Sequence, residues 1–144
     1  MSETLPQVSV VPDANSPSKY GEEFIAKEFP HQPPEIEEGN REYKLKLTRD
    51  HKLHKIASHL RFRLYEGEGR ALYLLGVSDG GKSWGVTLEQ LYDSLEYLHR
   101  ACIQLERDSE TPITVEKVRI YQGKCPKYFV ATVRISGQIT MTIS

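Results

Sequence analysis

A length of 144 residues predicts one domain, or one domain with a tail, and leaves no room for a multidomain enzyme. With 38% hydrophobic and 27% charged residues and a mean hydropathy of −0.51, the chain can build a core but carries polar surface to spare. The net charge of −1 conceals a split: residues 1–40 hold two lysines against eight acids, whereas residues 41–144 hold 17 basic against 12 acidic side chains, a body suited to a polyanion or to its own acidic tail.

The opening segment has neither a basic n-region nor an apolar h-region, and no apolar run approaches the roughly 20 residues that span a bilayer. The expectation is a soluble, cytoplasmic protein with no membrane partner. Cys102 and Cys125 allow at most one bridge and form no C-x-x-C pair, so both read as reduced thiols.

Six of the eight prolines fall before residue 35, and no hydrophobic period survives there. Residues 1–40 are therefore expected to be a disordered or extended acidic arm, and residues 41–144 an α+β domain. Within the arm, Tyr20, Phe24, Ile25 and Phe29 form an apolar island among Glu22, Glu23 and Glu28. The island either folds back on the domain or serves as a docking motif for a partner.

From residue 42 the pattern changes. Tyr43, Leu45 and Leu47 alternate with Lys44 and Lys46, predicting a strand. Leu53, Ile56, Ala57, Leu60 and Leu64 recur at helical spacing up to Gly67, with Asp50 as N-cap. Ala71–Val77 is a predicted strand, Asp79-Gly80-Gly81 a tight turn and Ser83–Val86 a returning strand. Thr87 and Gln90 form a capping box, and Leu88, Leu91, Leu95, Leu98, Cys102 and Leu105 mark a second helix. Two strands, Val115–Tyr121 and Tyr128–Ile135, close the chain. The order β-α-β-β-α-β-β predicts an α+β two-layer sandwich, with two helices on one face of a largely antiparallel sheet.

The stretch Gly76 to Ser83 satisfies G-x-x-x-x-G-K-[ST] after an apolar strand, the pattern of a phosphate-binding loop. Such a loop works because a helix starts at its glycine and lysine and aims free N–H groups at phosphate. Here Trp84, Gly85 and Val86 follow, the helix signal comes later at Thr87, and Gly80-Gly81 suits a hairpin turn. The hairpin is the expected structure, with no nucleotide or other cofactor. His51, His54 and His59 lie on the first helix without an evident further ligand, so no metal is expected. His99 precedes Cys102 by three residues, but Cys102 belongs to the leucine stripe and reads as core. No catalytic constellation emerges, and the chain is not expected to be an enzyme.

The basic residues are better organised. Lys52, Lys55, His59 and Arg63 recur along the first helix opposite the leucines. Strand alternation that buries Leu45, Phe129, Ala131, Val133 and Ile135 turns Lys44, Lys46, Arg134 and Tyr128 outward, and Lys117, Arg119 and Tyr121 join them. Lys44, Lys46, Lys52, Lys55, Arg63, Lys117, Arg119, Tyr121 and Arg134 are the candidate RNA-binding residues, with an ordinary solvated face as the plain alternative.

The stretch from Pro33 to about Thr114 resembles the domain preceding the G domain in the GTP-binding protein 1 and 2 family of translational GTPases, relatives of elongation factor 1-alpha. The carrying segments are Pro33-Pro34-Glu35 with Glu38-Gly39-Asn40, Glu42 to Leu47, Phe62 to Gly69, Tyr73 to Gly80 and Ser94 to Arg100. The hairpin portion is also similar to that of Schlafen-type AlbA domains. In the GTP-binding protein 1 and 2 family a strand then leads into a true phosphate loop, whereas here Phe129–Ser136 resembles the strand and Gly137 to Ser144 follows it. The resemblance therefore implies no GTP hydrolysis. It implies the company of ribosomes, tRNA and the translation apparatus: a ribosome-associated or ribosome-inactivating (dormancy) factor on rRNA and ribosomal proteins, or an adaptor for a translational GTPase or RNA-decay partner.

Overall fold

A computed structural model describes residues 19–140. The elements are β1 (Glu23–Glu28), β2 (Arg41–Lys44), α1 (Leu53–Glu66), β3 (Arg70–Leu75), α2 (Leu88–Ser109), β4 (Thr114–Gln122) and β5 (Phe129–Ser136). The strands form one mixed sheet in the order β1-β4-β5-β3-β2. Its long inner ladders, β4 with β5 and β5 with β3, are antiparallel, while the short outer strands β1 and β2 run parallel to their neighbours. The fold is α+β, with both helices packed on one sheet face.

Each helix follows from its sequence. In α2 the Thr87 hydroxyl accepts from the Gln90 N–H at 3.1 Å while the Gln90 side chain accepts from the Thr87 N–H at 3.1 Å, satisfying two otherwise orphaned donors. Its stripe of Leu91, Leu95, Leu98, Cys102 and Leu105 is buried against Ala71, Tyr73, Leu75, Val118, Ile120, Ala131, Val133 and Ile135 of the sheet. In α1, Ile56, Ala57, Leu60 and Leu64 join the same core. The N-cap of α1 is Lys52, which makes no side-chain cap bond, so Asp50 does not cap it.

Three expectations change. First, the domain does not begin at residue 41: β1, inside the expected arm, pairs with β4 and places Phe24 opposite Ile120. Its charged residues Glu23, Lys27 and Glu28 obscure the period, and such charges protect an edge strand from further pairing. Residues 1–18 of the arm lie outside the described residues. Second, Ser83–Val86 forms no ladder; only Val86 bridges to Phe129. Gly85, with φ +87°, takes the chain out of strand geometry there.

Third, β2 presents its residues the other way round. Tyr43 lies beside Leu74 on the face away from the helices, and Leu45, expected to be buried, is 44% exposed. The strand ends at Lys44, so Leu47 reaches the helix-side core by a different path. The far face is itself half covered. Phe29 packs with Tyr43, Leu72, Leu74, Val77 and Val130 in a second, smaller core at one end of the sheet.

Candidate nucleic-acid interface

The uncovered half of the far face carries the best-organised charge. Ladder register aligns Lys117 with Arg134, Arg134 with Leu72 and Leu72 with Arg41, a row across β4, β5, β3 and β2. Lys117, Arg134 and Arg41 are exposed, and so is Arg70 at the adjacent end of β3. The bulge between Val115 and Lys117 sets this facing, because it lets Val115 pack inward while Lys117 turns out with Arg119 and Tyr121. Arg119 is half-buried with its Nε 3.5 Å from Glu23 of β1, so part of its charge is already answered.

Arg63, expected on the RNA-binding face, does not reach the surface. It is buried, and its guanidinium is consumed internally: Nε donates to Glu42 at 2.8 Å, Nη1 to the carbonyls of Glu37, Glu38 and Gly39, and Nη2 to that of Ile36. The segment 32–40, a strap ahead of β2, folds with its carbonyls of residues 36–39 over the α1 face that the sequence pattern assigns to solvent. Removing Arg63 from the RNA-binding set follows directly.

Lys44, Lys52 and Lys55 come together elsewhere. With Leu47, Asp50, His51, Ile56 and His59 they line a depression of about 280 Å³ beside the start of α1. Lys44 is half-buried and 3.5 Å from Glu42, while Lys52 and Lys55 are exposed. The His51 Nδ1 accepts from the Thr48 N–H at 3.1 Å, which ties it to the loop. Lys46 is exposed before this depression but does not line it. Of the nine expected RNA contacts, four lie on the sheet face (Lys117, Arg119, Tyr121, Arg134), three line the α1 depression (Lys44, Lys52, Lys55), Lys46 lies outside both and Arg63 is buried. Among the described residues no group of three or more His, Cys, Asp or Glu converges on a metal position.

The apolar island is folded onto the domain, which corrects the docking-motif expectation. Phe24 enters the helix-side core. Tyr20 donates from its hydroxyl to Glu96 at 3.0 Å and stands edge-on to His99. Ile25 is half-buried opposite Tyr121 in the ladder, and Phe29 packs 4.9 Å from the Tyr121 ring. The last contact matters chemically: Tyr121, the aromatic among the expected RNA-binding residues, is already packed against a neighbouring ring. The exposed aromatics are Phe62, Tyr65, Trp84 and Tyr128.

The Gly76–Ser83 loop spends most of its backbone donors within the molecule. The Ser78 N–H goes to Lys82 O, Gly81 N–H to Ser78 O, Lys82 N–H to the Ser78 hydroxyl and Ser83 N–H to His31 Nδ1. Ser83 is fully buried, its hydroxyl donating to the Pro30 carbonyl at 2.6 Å. α2 starts only at Leu88, so no helix N-terminus points at the loop. A phosphate cradle needs these N–H groups free. Cys102 is buried, and desolvation first, then the Glu106 charge, pushes its thiol up to about 12, far from a thiolate nucleophile.

The molecule is an α+β module with a half-covered sheet and a basic row on the open half. No family model matches the chain, and no solved structure matches it. Over 81 residues, 55% of the chain, it is 40% identical to GTP-binding protein 2 of mouse, and equally to that of human. The matched stretch covers 14% of the length of those relatives, so the chain is similar to a small part of GTP-binding protein 2. Among the described residues no helix is long and apolar enough to cross a membrane.

Proposed function

We propose that the chain is a non-enzymatic, ribosome-associated translation factor that binds rRNA through the open half of its sheet and there modulates translation or keeps ribosomes dormant. The observation that carries this reading is the row of Lys117, Arg134 and Arg41, held in register on a rigid sheet and spanning roughly 14 Å at the usual strand spacing. Cations fixed at such intervals meet a phosphate backbone without the entropy cost of ordering flexible side-chain supports. The similarity to part of GTP-binding protein 2, together with the resemblance to translational GTPases, supports the ribosome as the source of that backbone. Its place of work is then the cytoplasm.

Sedimentation of lysate through a sucrose gradient tests this. The expected result is migration with ribosomal particles at low salt and progressive release as salt rises, because counterions displaced from phosphate return. The double substitution Lys117→Glu with Arg134→Glu should move the protein toward the top of the gradient while its thermal melt stays close to that of the native chain. A native protein found only at the top at low salt sinks the proposal. Association that survives complete nuclease digestion would favour an adaptor bound to a protein partner instead.

A further inference from the structure

Trp84 is the one tryptophan of the chain, and it is 51% exposed. An exposed indole on a mobile loop would mean little, but this one is pinned on both sides. Before it, Ser83 is buried and bonded to Pro30 and His31. After it, Gly85 donates to Gly76 at 3.0 Å, and Val86 exchanges two backbone bonds with Phe129. The Trp84 carbonyl itself accepts from the Lys124 N–H at 3.1 Å. The His31 ring stands edge-on to the indole at 5.4 Å and 76°, and about half of the Trp84 surface is open to solvent.

The surroundings are cationic. Lys82 and Lys127 are exposed and make no ion pair among the described residues, while Lys124 is paired with Glu28. The His31 imidazole is held below its ordinary pKa, by desolvation first and then by the charges of Lys124 and Lys82, in keeping with the lone pair its Nδ1 offers to Ser83. Asp79 is the exposed acid of the same loop. Tyr128, 39% exposed, sits with its Cβ against Gly85. An exposed aromatic face with lysines on the segments that adjoin it fits an unpaired nucleobase on a phosphate chain, since every base offers a π-face and a paired one does not expose it.

We propose that Trp84 is the base-stacking platform of a single-stranded RNA site, with Lys82 and Lys127 holding the flanking phosphates. This rests on the RNA-binding reading but not on the sheet face. It supplies the stacking surface that Tyr121, already packed by Phe29, lacks.

The solitary tryptophan makes the test direct. The full chain is titrated with a single-stranded 12-mer of uridylate while Trp84 emission is followed, with inorganic polyphosphate as a probe of charge alone. Saturable quenching by the RNA and little change with polyphosphate are expected. By anisotropy of labelled RNA, Trp84→Leu should weaken binding roughly tenfold and Trp84→Phe should retain most of it, as loss and retention of one stacked base require. Unchanged emission on adding RNA, equal quenching by polyphosphate, or native affinity in Trp84→Leu overturns the proposal. Quenching that persists in Lys117→Glu with Arg134→Glu, alongside lost ribosome association, shows that the two sites stand separately; quenching lost in that variant places the bound base on the sheet face and overturns the Trp84 assignment.

Discussion

Arg63 sits where helical spacing assigns solvent, yet among the described residues its guanidinium makes five hydrogen bonds. Burial of a guanidinium is tolerated only because Glu42 supplies the opposite charge and the strap carbonyls take the remaining donors. Replacing it by methionine removes the 2.8 Å partner of the buried Glu42 and leaves it only the longer, 3.5 Å contact with Lys44. Arg63→Met is expected to cost about 3–5 kcal/mol in urea unfolding, part of which returns when Glu42→Gln is added. A second residue-scale effect is pH-dependent. Hydrogen bonds from Lys19 and Tyr20 hold the Glu96 carboxyl down to about 2 against an ordinary 4.5. Its contribution to holding Tyr20 on α2 is therefore complete above pH 4.5 and lost as pH falls toward 2. Thermal melts between pH 5 and 2.5 should show a decline that is shallower in Glu96→Gln than in the native chain.

The elements most legible in the sequence are those whose information is local. A capping box followed by a leucine stripe defines α2, and alternation defines β5, because each pattern is set by the geometry of its own backbone. β1 is not legible, since its pairing with β4 joins segments almost a hundred residues apart and its charges are those of an edge. The strap and the hairpin loop depend on each other in the same way: Gln32 N–H donates to Gly81 O and Glu35 N–H to Asp79 O. Gly81 has φ +89°, and a Cβ there would collide with the Gln32 carbonyl, whereas one at Gly80 meets only the Ser78 hydroxyl at 3.9 Å. Gly81→Ala should destabilise by about 1–3 kcal/mol or more and speed hydrogen exchange at the Gln32 and Glu35 amides, while Gly80→Ala stays within about 0.5 kcal/mol.

For the whole molecule, the sequence split into acidic arm and basic body becomes a division of labour inside one fold. The described part of the arm covers one end of the sheet through Phe29 and closes one edge through β1. It also neutralises selected cations, Glu28 on Lys124 and Glu23 near Arg119, leaving Lys117, Arg134, Arg41 and Arg70 exposed. A chain beginning at Arg41 loses the β1 edge, the burial of Phe24 and Phe29, and the strap carbonyls around Arg63. Its melting temperature should fall by about 10 °C or more, with oligomers on size exclusion as the β4 edge opens.

By itself the sequence determined both helices, the strands β3, β4 and β5 and the α+β class, because each element is marked by a pattern in its own residues. Only the tertiary structure decided which cations reach solvent. Whether a charge is exposed depends on what crosses above it, and for Arg63, Arg119 and Tyr121 the covering groups come from the proline-rich segment whose own sequence shows no period. The same covering left Trp84 bare, a property that no spacing of residues around it encodes.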